Sequence, residues 1–253
     1  MSTTCAPPLA ASGLPAEKTP AAPHFYGRRR GRRLRPARQA LMDSLLPTLA
    51  IRLPADGEEI DPRTIFGTGV SSCEIEIGFG GGEHLAAQAA ARPAVGFIGC
   101  EPYVNGVARL LGHIADGDLG NIRIWPDDAR LLLAALPDRC IDRVYVLFAD
   151  PWPKARHAKR RIISAEILDT LARIMIDDAE LRFASDDPGY VRWTLSHLLR
   201  HRDYEWTARD AGDWRRRPAD WPATRYEAKA IEKGRRPLYL SARRRPRAAR
   251  DSA

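Results

Sequence analysis

Glu74-Ile75-Glu76-Ile77-Gly78-Phe79-Gly80-Gly81-Gly82-Glu83-His84 is the stretch on which the fold of this chain turns. It reads as a strand, a glycine turn and the start of a helix. Such a turn lets the backbone come close to a ligand, because glycine accepts positive φ and presents no Cβ. Glycine-rich turns are common, so the spacing has to discriminate between ligands. A dinucleotide fingerprint G-x-G-x-x-G starting at Gly78 needs glycine at position 83, where this chain has Glu83. A carboxylate there would face the pyrophosphate that the helix N-terminus is meant to attract.

Outward from this turn, short apolar runs alternate with helical ones, the pattern of a mostly parallel, doubly wound α/β sheet with helices on both faces. Strands are expected at 73–77, 94–99, 122–125, 144–148, 181–185 and 237–241, and helices at 84–91, 105–115, 129–136, 165–176 and 190–200. The spacing Gly78, Gly80, Gly82 resembles motif I of Rossmann-like methyltransferases, whose ligand carries no phosphate. Glu76, two residues ahead of the first glycine, is then placed to hold the cationic end of the cofactor's amino acid. An acidic residue about 20 positions beyond the loop, at the end of the second strand, is where ribose hydroxyls are bound; Glu101 occupies that place. After the third strand, Asp128 is the candidate for reading an adenine amino group, with Asp127 as the alternative. A single carboxylate at a strand end is more often a helix N-cap than a ligand. Three in order after three successive strands argue for a ligand set.

Lys and Arg together outnumber Asp and Glu, 40 to 32, which favours a polyanionic partner. The excess is concentrated: seven arginines lie between Arg28 and Arg38, and Arg243, Arg244, Arg245, Arg247 and Arg250 sit near the C-terminus. Residues 1–25, rich in Ala, Pro, Ser and Thr, read as a disordered leader. Residues 26–50 read as a basic arm with a docking helix around Leu41, Met42, Leu45 and Leu46, residues 51–242 as the catalytic domain, and 243–253 as a basic tail. The polar, Trp-rich sequence past Arg202 reads as a substrate-facing extension. Cys5, Cys73, Cys100 and Cys140 have no metal-ligand spacing, so neither a zinc site nor a disulfide framework is expected. No apolar run approaches the roughly 18 residues of a membrane span, so a soluble, cytoplasmic protein is expected.

The run at 144–148 leads into Ala149-Asp150-Pro151-Trp152-Pro153-Lys154-Ala155-Arg156-His157-Ala158-Lys159-Arg160-Arg161. Ligands in open α/β sheets bind beyond the carboxyl ends of the strands, so Asp150 should sit at the mouth of the cleft. The cations that follow it suit a phosphate-binding surface. Here the chain resembles the bacterial tRNA (guanine-N7)-methyltransferase family, in which a DPWPK…RH.KRR run follows the fourth strand. The resemblance spans roughly residues 25–240. It includes GRRRGR in the basic arm, EIGFGGGEHL at the glycine turn, ASD at 184–186 and TRYEAKA from Thr224. Ala149 departs from the proline usual there, and Asp187 adds an acid beside Asp186.

The resemblance implies S-adenosyl-L-methionine (SAM) as cofactor and tRNA as partner, with the variable-loop guanine at tRNA position 46 as acceptor. It places cofactor contacts on Glu76, Gly78, Gly80, Glu101, Asp128 and Asp150, with Asp150 also catalytic. Substrate contacts fall on Lys154, Asp186, Thr224, Arg225, Tyr226 and Glu227. Asp150 and Glu227 are expected to compete for the guanine N1–H and amine, and no metal is expected. An NAD-dependent oxidoreductase would share the glycine turn and Glu101, but not Glu83. A noncatalytic RNA-binding module would explain the arginines, but not cleft carboxylates that repel phosphate. Methyltransferases acting on exocyclic amines carry an acid-or-amide-Pro-Pro-aromatic motif, and Trp152 in Asp150-Pro151-Trp152-Pro153 disfavours that class.

Overall fold

A computed structural model describes residues 25–54, 57–67 and 69–247. Its centre is a seven-stranded sheet in the order β3-β2-β1-β4-β5-β7-β6. These strands are β1 (Ser72–Ile77), β2 (Val95–Cys100), β3 (Ile122–Trp125), β4 (Ile141–Leu147), β5 (Met175–Ser185), β6 (Tyr204–Trp206) and β7 (Leu238–Arg244). β1 to β5 run parallel and β7 is antiparallel to both its neighbours. The order reverses between β1 and β4, the switch point where a ligand crevice opens. In register, Ile77 lies opposite Cys100, and Gly78 N–H donates to the Cys100 carbonyl at 2.8 Å. The glycine turn and Glu101 therefore leave the sheet side by side.

Helices cover both faces because the strands are buried on both sides. On one face lie α1 (Pro36–Ser44), α2 (Leu46–Leu49), α3 (Glu83–Ala91) and α4 (Val104–Gly117), packed through Leu49, Leu85, Leu110, Leu111 and Phe97. On the other lie α5 (Ala129–Ala135), α6 (Ala165–Ile174) and α7 (Pro188–Arg200), closed over Leu132, Leu168, Leu171 and Tyr190. Fully burying each such Leu contributes roughly 1.5–3 kcal/mol. Two shorter helices follow, α8 (Gly212–Arg215) and α9 (Arg225–Glu232).

Three sequence expectations are corrected. The helix expected over 165–176 ends at Ile174, and β5 starts at Met175, where it pairs with Ile141 before a register shift. The sequence past Arg202 supplies β6 and completes the sheet rather than forming only an extension. The basic tail is also part of the fold: Arg243 and Arg244 belong to β7. Arg244 Nε donates to the Ala172 carbonyl at 3.2 Å, and Arg247 Nη2 donates to the carbonyls of Ala172 and Arg173 at 2.8 Å. These arginines satisfy carbonyls that the end of α6 leaves unpaired. The expectations for residues 1–24 and 248–253 lie outside the described residues.

The basic arm is tied to α4 by its backbone. Val104 N–H donates to the Arg29 carbonyl at 2.9 Å, Gly31 N–H to Asn105 Oδ1 at 2.8 Å, and Asn105 Nδ2 to the Arg32 carbonyl at 2.7 Å. This backbone docking leaves Arg28, Arg30, Arg32 and Arg33 exposed. No helix among the described residues is long and apolar enough to cross a membrane.

Candidate active site

A cavity of about 710 Å³ opens over the carboxyl ends of β1, β2 and β4. Its floor is the glycine turn. Gly78, Gly80 and Gly82 all have positive φ, at 76°, 58° and 81°. A Cβ on Gly78 would meet no atom within 4 Å, whereas one on Gly80 would lie 2.6 Å from the Tyr226 ring. The turn is thus open on the ligand side at Gly78 and closed by α9 at Gly80.

Among the described residues six carboxylates line this cavity, and Glu76, Glu101, Asp128 and Asp150 among them follow the first four strands, with Glu83 and Glu166 on the starts of α3 and α6. Glu76 is buried, and its Oε2 is 2.7 Å from His84 Nδ1. Glu101 is buried too, accepting from Gly80 N–H at 2.8 Å and Tyr103 N–H at 2.9 Å. Burial pushes the Glu101 carboxyl up to about 7, with smaller upward contributions from Asp150 and Glu76, against the lowering effect of the two N–H donors. Asp128 caps α5 through Arg130 N–H at 3.0 Å, pairs with the Arg130 guanidinium at 2.5 Å and also lines the cavity. Asp127 instead pairs with Arg29 of the arm at 2.6 Å. Asp150 follows Phe148, whose φ is 54°, and stands at the mouth of the cavity. Among the described residues no donor hydrogen-bonds its carboxylate, and the cavity walls desolvate it enough to raise its pKa above the ordinary Asp value.

The substrate candidates divide. Thr224 and Tyr226 line the cavity; Lys154, Asp186, Arg225 and Glu227 do not. Asp186 pairs with Arg235 at 2.9 Å, and Arg225 lies 3.9 Å from Glu83. Glu227, expected to compete with Asp150 for the guanine, is engaged within the protein and lies outside the cavity lining. It is buried, closes a capping box with Thr224, accepts from Tyr239 Oη at 2.5 Å and lies 3.3 Å from Arg217 Nε. Thr-x-x-Glu is a helix-start signature, so α9 was readable in the sequence as a capping box.

Other wall residues come from distant segments: Arg28, Arg160 and Arg161 stood out in sequence only as members of basic runs, and Phe25, Tyr26 and Trp193 carried no signal. Phe25, Tyr26 and Arg28 of the arm line the cavity, and Arg160 stacks over the rings of Tyr26 and Trp152 at 4.5 and 4.9 Å. Arg161 packs over Trp193 at 5.0 Å and donates to the Pro151 carbonyl at 2.8 Å. The basic run therefore contains both wall-building cations (Arg160, Arg161) and exposed ones (Lys154, Arg156, Lys159). Among the described residues no His, Cys, Asp and Glu group is arranged to hold a metal.

A parallel sheet reversing at β1/β4, an antiparallel β7, a glycine turn after β1 and a carboxylate at or just past the end of each of the first four strands define a class I SAM-dependent methyltransferase. Comparison with known proteins agrees. Residues 71–239 match the family model described as "Putative methyltransferase". The tRNA (guanine-N(7)-)-methyltransferase of Rhodospirillum rubrum is 56% identical over 89% of both chains. That of Paramagnetospirillum magneticum is 51% identical over 89% of this chain and 94% of its own. A solved 16S rRNA methyltransferase, KamB, shares the fold with a TM-score of 0.52 at 13% identity, over 75% of this chain and 95% of its own. The chain belongs to the tRNA (guanine-N(7)-)-methyltransferase family.

The cavity's chemistry fits SAM. Glu76 offers a buried anion for an ammonium group, Glu101 a carboxylate for hydroxyl donors, and Asp128 a further acceptor beside the apolar side chain of Ala129.

Proposed function

We propose that this chain transfers the methyl group of SAM to N7 of a guanine in tRNA, at position 46 of the variable loop. The observation that carries the reading is Asp150: a carboxylate exposed at the mouth of a cavity whose inner carboxylates suit the cofactor, with no hydrogen-bond donor on it among the described residues. The relatives' printed names supply the acceptor.

The cofactor contributes an electrophilic methyl group on a sulfonium. Guanine N7 has a lone pair and no proton, so the protein needs no general base at the nucleophile. Its task is alignment, which can contribute roughly 7–11 kcal/mol by making a bimolecular displacement effectively intramolecular. Asp150 accepts hydrogen bonds from the guanine's N–H donors and favours the positive charge that methylation places on the ring. Thr224 and Tyr226 form the opposite wall, while Glu227 acts through α9 by fixing its first turn. Folded RNA presents an extruded base to such a cleft. The exposed arginines of the arm, with Lys154, Arg156 and Lys159, take up phosphates.

The test is incubation of the protein with labelled SAM and an unmodified tRNA transcript, followed by the chain scission that N7-methylguanosine permits. Scission at the variable-loop guanine is the expected result. Label elsewhere in the RNA would overturn the position, and label released without N7-type scission would overturn the reaction.

A further inference from the structure

From the cavity wall inward runs a line of polar side chains of which only Glu76 is assigned a part in holding the cofactor. It begins at Glu76, whose Oε2 is 2.7 Å from His84 Nδ1. On the next turn of α3, Gln88 Nε2 lies 3.4 Å from His84 Nε2 and donates to the Asp220 carbonyl at 2.7 Å. Gln88 Oε1 accepts from Arg92 Nη2 at 2.7 Å, and Arg92 holds Glu74 at 2.6 and 2.8 Å. His84 and Gln88 are both buried, so their donors and acceptors have to be matched within the protein.

The matching has one consistent order. A Glu76 carboxylate only accepts, so His84 carries its proton on Nδ1 and presents Nε2 as an acceptor. Gln88 then has both amide protons placed, one toward His84 Nε2 and one on the Asp220 carbonyl, with its oxygen taken by Arg92. If the proton lay on the Glu76 side, His84 would carry Nε2–H. That donor would face the donors of Gln88, and the amide would have to turn away from Asp220. A cation held by Glu76 keeps it a carboxylate and fixes the first order.

Asp220 lies in the loop that delivers α9 to the site. Its carboxylate pairs with Arg182 at 2.6 Å, the neighbouring Trp221 is buried against Tyr239, and Thr224 caps α9 three residues further on. We propose that His84 and Gln88 form a positioning relay that ties occupancy of the Glu76 end of the cavity to the placement of residues 217–224. The cofactor's ammonium would thereby help set the acceptor wall formed by Thr224 and Tyr226. The relay rests on the cavity as SAM site; only its consequence for tRNA rests on the proposed acceptor.

The test uses S-adenosylhomocysteine, which keeps the amino acid end and transfers nothing, and reads amide hydrogen exchange in the 219–228 segment. In the wild type, binding should slow exchange there by about fivefold or more. Gln88→Met, which keeps the volume but donates nothing, and Gln88→Glu, which accepts but does not donate, should abolish that slowing. Both should retain affinity for the ligand within about threefold. Wild-type binding without slowed exchange would overturn the relay and leave the proposed function standing. Slowing retained in both variants would overturn it too, as would a hundredfold loss of affinity in both, since Gln88 would then be part of the cofactor pocket itself. Absence of binding to the wild type would instead bring down the reading of the cavity.

Discussion

The two ends of the cavity are built on different principles. At the cofactor end, Glu76, Glu101 and Asp128 stand at or just past the ends of adjacent parallel strands, so their mutual positions follow from sheet register. At the proposed acceptor end, Thr224 and Tyr226 arrive on a short helix held by side-chain ties: the capping box, Tyr239 and Arg217 on Glu227, and Arg182 on Asp220. Register is rigid and local, whereas ties between distant segments are individually removable. Damage at the first end should appear in cofactor affinity, and damage at the second in acceptor use.

The largest expected effect belongs to the first end. Removing one partner of a buried ion pair costs about 3–5 kcal/mol, so Glu76→Ala should weaken SAM binding roughly 10²- to 10³-fold by calorimetry. A loss below tenfold would break the contrast.

Next comes pH. Glu101 has a raised carboxyl, about 7, in the free protein, and ribose hydroxyls donating to it favour the ionised form, so its pKa is lower in the complex. Affinity is then full above pH 7 and falls as pH drops through 7, by up to about tenfold per unit for one linked proton. Glu101→Gln should flatten this dependence between pH 6 and 8; an unchanged slope would remove Glu101 from the cofactor site.

What the sequence disclosed follows the same division. The first four strands, the glycine turn and the placement of Glu76, Glu101, Asp128 and Asp150 at the cavity were legible because each follows from a strand end and a short spacing from it, about 20 residues at most for Glu101. The three-residue β6 was not, since Tyr204–Trp206 pairs with a β7 nearly forty positions later. Glu227 was marked by the resemblance as a substrate contact, and its own Thr-x-x-Glu spacing also marks a helix cap, the role its hydrogen bonds display. His84 lay inside the quoted motif, yet its value comes from pairing across the loop with Glu76. The arginine runs looked alike in sequence and differ in structure, because α6 ends where the C-terminal run passes.

That last difference gives a paired prediction. Among the described residues, Arg244→Ala removes one of two guanidinium donors to the Ala172 carbonyl and one of three cations on Asp177, and should cost about 1–2 kcal/mol of stability, seen as a lower Tm, with the salt dependence of tRNA binding unchanged. Arg33→Ala, on the exposed arm, should leave Tm unchanged and reduce the slope of log affinity against log salt by about 0.7–0.9. Reversed outcomes would exchange the roles of the two runs. The smallest effect is that of Thr224→Ala, about 1 kcal/mol from the lost cap, with KM for tRNA raised and SAM affinity unaltered in titrations.

Asp150 joins the two ends, and the most direct test of the account is the single-turnover rate of methyl transfer by Asp150→Ala at saturating SAM and tRNA. The expected rate is lower by about 10²-fold or more, and extra SAM does not restore it. Recovery of the wild-type rate at high SAM would show that Asp150 serves only to hold the cofactor, and would contradict its role in aligning guanine.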